Sequence, residues 1–294
     1  MKKIFISVLL LATAALINAQ QAATKQDILY GLIQKEDLLK TPFAEWFKPG
    51  YENYQPDPAL IDKIKKLLSS DFSLQVFLGT WCGDSRREVP RLVKLLDEIR
   101  FPQQHLQIIA VGDSDSLLKQ SPQHEEAGKA IFRVPTIIVY KNNVEINRII
   151  EFPVLSLEAD IYAILSGKSY SPNYKSFQAI KNWLENDIFR NKNISGRSLA
   201  AQLKSLTDGE NELNSLAHLL LKQGKKEEAL KIFQVNYYLY PESPRVISSL
   251  GEGYCRTGDQ KNAVSNLEKA LEINKDPKMV KEILSILYQA KELK

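Results

Sequence analysis

The sequence predicts an α/β domain built on a mixed central sheet flanked by helices, followed by an all-α domain of helical repeats. Two observations carry this. Between Leu74 and Gly167, strand-like and helix-like stretches follow in the order β-α-β-α-β-β-α, with helices between the first strands and a hairpin at the end. From Glu210 the chain repeats with a period of 34. The chain has 294 residues, 44% hydrophobic and 25% charged, enough for two such units.

Taken in order, Met1-Lys2-Lys3 and the apolar run 4–17 ending Asn18-Ala19 read as a signal peptide over residues 1–19, which implies an exported, periplasmic or extracellular protein. Its removal takes the formal charge from +4 to +2, too near neutral to suggest a nucleic-acid partner. No later segment is long and apolar enough to span a membrane. Residues 20–70 form an N-terminal extension. A helix is predicted from Thr24, with Ile28, Leu29, Leu32, Ile33, Leu38 and Leu39 as its apolar positions. An irregular aromatic strap follows between Pro42 and Pro58, then a helix over 59–68.

The first domain spans 71–167. An apolar, β-favouring run (Leu74, Val76, Phe77, Leu78) stops at Gly79, and a helical pattern (Val89, Leu92, Val93, Leu96) starts just past Ser85. Cys82 therefore lies at the mouth of a helix, where unpaired N–H groups and the positive end of the dipole favour a thiolate, the form that attacks disulfides. Arg86 and Arg87 add positive charge and Asp84 opposes them. The run 106–111 reads as a strand buried on both faces, ended by Gly112-Asp113-Ser114. A polar helical stretch is expected next, then the hairpin 134–150 with Pro135 at its entry. Leu157, Ile161, Ile164 and Leu165 mark a closing helix stopped by Gly167.

Trp81-Cys82-Gly83, the proline eight residues after the cysteine (Pro90), and Val134-Pro135-Thr136 resemble the thioredoxin family over about 74–167. The resemblance implies a thioredoxin-like fold in which Pro135 is cis and lies against the sulfur. Backbone around Val134, Pro135 and Thr136 would pair with an extended peptide, and Trp81 and Gly83 would border the groove. Two departures shape the chemistry. Ser85 stands where the family has its second, resolving cysteine, and Val76 stands where it has a buried aspartate. What remains is the attacking half: Cys82 as nucleophile and Ser85 as its hydrogen-bond partner. That implies exchange through mixed disulfides with protein or peptide clients, as isomerase, monothiol reductase or trap, without a cofactor. The alternative is a redox-inactive peptide-binding or assembly module.

Residues 168–209 read as a linker with docking helices, one carrying Ile180, Trp183, Leu184 and Ile188. Within 210–294, Leu216 recurs as Leu250, Ala217 as Gly251, Gly224 as Gly258, Ala229 as Ala263, and Phe233 as Leu267. Period and residue kinds resemble the tetratricopeptide repeat: two helix pairs and a capping helix over 279–293, which implies a surface for a protein partner or a packing module. Cys255 falls at an apolar-spaced position, as a buried small residue would; the other reading is a resolving thiol. His105, His124 and His218 are scattered, so no metal site is expected.

Overall fold

A computed structural model of the protein describes residues 27–293 except 115, 116 and 192. The signal-peptide segment 1–19 lies outside the described residues.

Alternating burial along β2 (Phe72–Leu78) separates the two faces of the sheet. Leu74, Val76 and Leu78 enter one core and Phe77 enters another. β2 pairs in parallel with β3 (Leu106–Ala110) and antiparallel with β4 (Thr136–Lys141), which pairs antiparallel with β5 (Val144–Ile150). A fifth strand, β1 (Gly31–Ile33), runs antiparallel to β3, giving the mixed order β1-β3-β2-β4-β5.

β1 corrects the helix expected from Thr24. The apolar spacing fits either period, but Leu32 is 57% exposed while Ile33 is buried, and Gly31 takes a left-handed φ of 78°. Pairing with the open edge of β3 decides the outcome, because it satisfies backbone groups there. Among the described residues helical structure starts at the short α1 (Lys35–Leu38), opened by a capping box between Gln34 and Asp37.

The aromatic strap is also more regular than expected. It contains α2 (Ala44–Glu52), with Pro49 inside it. Phe43, Phe47 and Tyr51 recur every four residues, so one ring face packs on α4 (Gly83–Glu98), where Gly50 lets the backbone approach Pro90. α3 (Pro58–Leu67) and the closing helix α5 (Leu157–Leu165) pack together. Buried residues of α2 to α5 share one core with Leu74, Val76, Ile108, Ile137 and Ile149.

Over the opposite face Phe77, Ile109 and Ile138 pack, among the described residues, with Ile131 and Val134 of an irregular segment. The polar helix expected after residue 116 is absent among the described residues. Left-handed residues Lys119, His124, Gly128 and Ala130 interrupt that segment. The Glu126 carboxylate accepts hydrogen bonds from the Ser121 N–H (2.9 Å) and hydroxyl (2.5 Å). The segment lacks an apolar helical stripe and is held by polar contacts instead.

The C-terminal region is all helical. α6 (Lys175–Glu185) and α7 (Gly196–Leu203) precede two helix pairs, α8 (Glu210–Lys222) with α9 (Lys226–Leu239) and α10 (Pro244–Arg256) with α11 (Gln260–Ile273). α12 (Pro277–Lys291) ends the array. The 34-residue repeat is visible in the packing: Leu216 and Leu250, Ala229 and Ala263, and Phe233 and Leu267 are all buried. A Cβ on Gly251 would stand 2.7 Å from Leu267 Cγ, which is why a glycine sits where α10 meets α11. Phe132 and Ile150 of the first domain enter the same core as Phe177, Ile180 and Leu213, so the two regions are joined by apolar packing.

Candidate active site

β2 ends in a tight turn that delivers Cys82 to the N-terminus of α4. The Cys82 N–H donates to the Gly79 carbonyl (2.9 Å), and the Cys82 carbonyl accepts from the Arg86 N–H (3.0 Å). Cys82 is the N-cap residue, in extended backbone with φ −86° and ψ 127°. The Arg86 guanidinium donates to the Thr80 carbonyl (2.6 Å) and so ties the turn to the first helical turn. Arg87 pairs with Asp84 (2.7 Å), which offsets the one acid in that turn.

Cys82 is half-buried, and its thiol donates to the Val134 carbonyl at 3.2 Å. The Val134-Pro135 peptide is cis. Val134 and Pro135 are buried beside the sulfur, while Gly83 is exposed with open space where a Cβ would stand. Thr136 belongs to β4; it is buried and its hydroxyl donates to the Arg133 carbonyl (2.7 Å). Ser85 is fully buried at the third helical position, and its hydroxyl accepts from the Gly79 N–H (3.1 Å). The serine thus holds the turn, while the hydrogen bond at the sulfur is made by Val134. Val76 lies in the main core, so the space below the turn is apolar.

Trp81 shields one side, its indole N–H donating to the Val111 carbonyl (2.9 Å). A Cβ on Gly79 would come within 2.5 Å of that ring. Gly79→Ala is therefore expected to expel the indole and destabilise the protein by about 1–3 kcal/mol, as overpacking does. An altered Trp81 Nε1–H resonance together with a lower urea midpoint checks this.

Sequence reasoning missed a set of charged residues around the sulfur. Lys119 donates to the Phe132 carbonyl (3.0 Å), and Arg133 donates to Ser215 on α8 (2.8 Å) while lying over the Tyr174 ring (5.2 Å). The Glu151 N–H donates to the Pro135 carbonyl (2.7 Å), and its carboxylate accepts from the Tyr174 hydroxyl. Burial pushes the Glu151 carboxyl up, against the pull of Arg133. None of these residues has a fixed spacing from the cysteine; only the adjacency of Arg133 to Val134-Pro135 could have flagged one. Through Arg133 and Tyr174 the proline loop touches the helical region.

Cys255 lies elsewhere. It is buried on α10 in a core with Ile247, Ala263 and Leu267, and burial pushes its thiol up. Among the described residues no group of three or more His, Cys, Asp or Glu is placed to hold a metal ion, and no helix is long and apolar enough to cross a membrane. Compared with known proteins, the chain matches no family model, no curated protein and no solved structure, so its chemistry is inferred from the geometry of Cys82 and its surroundings.

Proposed function

We propose that this protein carries out thiol–disulfide exchange through a single cysteine, Cys82, on disulfide-bonded or glutathionylated protein clients. The observation that carries the reading is the half-buried sulfur at a helix N-terminus, 3.2 Å from the carbonyl that precedes a cis proline. The strand order and this placement support a thioredoxin-like assignment for the first domain. The helix pairs with their 34-residue period support a tetratricopeptide-like assignment for the second.

The Cys82 thiolate attacks one sulfur of the client disulfide. A bond forms from Cys82 to that sulfur, and the other sulfur leaves with the electron pair. A thiolate no longer donates to Val134, so that carbonyl is released to a client backbone N–H. Ser85 offers no second sulfur and Cys255 lies in a different core, so the adduct waits for the client's own thiol or an external one. Release by the client's thiol amounts to isomerisation; release by an external thiol amounts to monothiol reduction. The contacts of Arg133 with Ser215 and Tyr174 bring the helical region to the proline loop, which supports a reading of that region as the part that holds the client. The expected export from residues 1–19 would put this exchange in a compartment where client disulfides persist.

Intact-mass measurement after incubation with a glutathionylated peptide tests this. One adduct on Cys82, absent from Cys82→Ala, is expected. An adduct on Cys255 alone, or none, overturns the reading. Equal peptide affinity for both proteins without any adduct would favour a redox-inactive binding module.

A further inference from the structure

We propose that Lys119 is the proton donor and acceptor for exchange at Cys82, delivering to the departing client sulfur the proton that it needs to leave as a thiol. The inference rests on the exchange reading above and assigns that site a second catalytic residue.

Its geometry is built by the segment that replaces the expected helix. The Gly112 N–H donates to the Gln120 carbonyl (2.9 Å) and the Lys119 N–H donates to the Gly112 carbonyl (2.9 Å). A bridge between Gly112 and Leu118 completes the fold-back, which returns Lys119 to the end of the sheet next to the Cys82 turn. Its ammonium donates to the Phe132 carbonyl (3.0 Å), and the Cys82 thiol donates to the Val134 carbonyl (3.2 Å). The two reactive groups therefore flank Arg133 on one short stretch of backbone and interact electrostatically. Arg133 is drawn off to Ser215 and Tyr174, and Glu151 to the Tyr174 hydroxyl, while Lys119 donates to a carbonyl two residues before the one that the Cys82 thiol reaches.

The amine is also tuned for the role. Burial and the Arg133 charge pull it down to about 8, while Cys82 and Glu151 hold it up. Glu151 in turn feels Asp84 and Arg87 as well as Lys119 and Arg133. An alkyl thiol leaves with a pKa of about 8.5, so a donor of similar strength is matched to it. Position 76 is a core valine and supplies no carboxylate to do this.

In the first step Cys82–S⁻ attacks R–S–S–R′, the Cys82–S–S–R bond forms, and the S–S bond breaks with its pair on R′. Lys119 gives R′–S⁻ its proton and becomes a neutral amine. In the second step that amine takes the proton from an incoming thiol R″–SH. The resulting thiolate attacks the R sulfur, and Cys82 departs as a thiolate. The sum exchanges R″–SH for R′–SH with no net oxidation.

The test compares the second-order rates of the full-length protein with bis(2-hydroxyethyl) disulfide, whose alkyl thiolate needs a proton, and 4,4′-dithiodipyridine, whose leaving group does not. Lys119→Gln is expected to lower the ratio of the alkyl rate to the pyridyl rate about 100-fold. A pyridyl rate that persists in the variant doubles as a check that Cys82 is still correctly placed. Lys119→Arg keeps the charge but holds its proton too tightly to give it up, so it should not restore the alkyl rate. The ratio of alkyl to pyridyl rates cancels the ionisation of Cys82. In the wild type that ratio should fall as pH rises through about 8, where the ammonium is lost, and in the variants it should be flat. Equal slowing of both disulfides by Lys119→Gln, reversed by Lys119→Arg, would reduce Lys119 to a fixed charge and overturn the proposal, as would no slowing of either. A wild type inert to both disulfides would instead remove the exchange reading itself.

Discussion

Ser85→Cys should clear its own mixed disulfide at least about 100-fold faster than the wild type in thiol-free buffer, because release becomes intramolecular. Cys82 is the N-cap residue and Ser85 the third residue of α4, and side chains at these two positions face one another across the first helical turn. The Ser85 hydroxyl already reaches back to the Gly79 N–H at 3.1 Å, the amide of the same turn whose carbonyl accepts from Cys82. A sulfur there lies within reach of an adduct on Cys82, and the product is an internal disulfide two mass units lighter than the dithiol. The substitution weakens the Gly79 hydrogen bond, at a cost of about 1 kcal/mol, so the gain in release is not bought with the fold. Loading both proteins with glutathione and following release by mass gives the comparison. A variant that keeps its adduct as long as the wild type would show that the third helical position cannot reach the client sulfur.

The strand-to-helix turn that makes this prediction possible is legible from residues alone. An apolar run stops at Gly79 and a helical stripe follows, and local physics is enough to put Cys82 at the cap. The repeat is legible for the same reason, since Gly251 and Ala263 report the close approach of helices directly. Where the sequence misleads, a distant partner decides. The apolar positions 28–33 suit a helix until the edge of β3 is available to pair with them. The rings at 43, 47 and 51 carry helical spacing, but Pro42 and Pro49 disguise it. Of Lys119, Arg133 and Glu151, only Arg133 leaves a trace, through its adjacency to Val134-Pro135. Lys119 arrives by a fold-back, Arg133 is drawn away by Ser215, 82 residues further along the chain, and Glu151 meets a hydroxyl from the next domain. Their roles follow from tertiary placement, which spacing does not encode.

Arg148→Met should destabilise the protein by about 2–3 kcal/mol, less than a fully buried ion pair would lose, because Glu145 is part-exposed and keeps Lys181. Arg148 is 4% exposed on β5 and grips Glu145 with two bonds, Nε to Oε1 at 2.6 Å and Nη2 to Oε2 at 2.7 Å. Its remaining nitrogen donates to the Lys129 carbonyl (2.7 Å), so one guanidinium fastens the irregular segment to the sheet a few residues before Val134-Pro135. Methionine fills the volume but leaves a carboxylate and a carbonyl without that donor. Burial alone would push the Glu145 carboxyl up; Arg148, with help from Lys181, holds it below its ordinary value. A carboxyl depressed in the folded state stabilises the protein above its unfolded pKa and loses that contribution as pH falls through the folded value. The wild type should therefore lose part of its advantage over Arg148→Met in acid, and urea midpoints at neutral and acid pH measure the difference. Because the lost bonds anchor the segment that carries Lys119, Phe132 and Val134, amide exchange at 131–134 should speed up in the variant. Adding Glu145→Gln should recover part of the stability by removing the stranded charge, whereas recovery of none would mean that the clasp acts through its carbonyl contact alone.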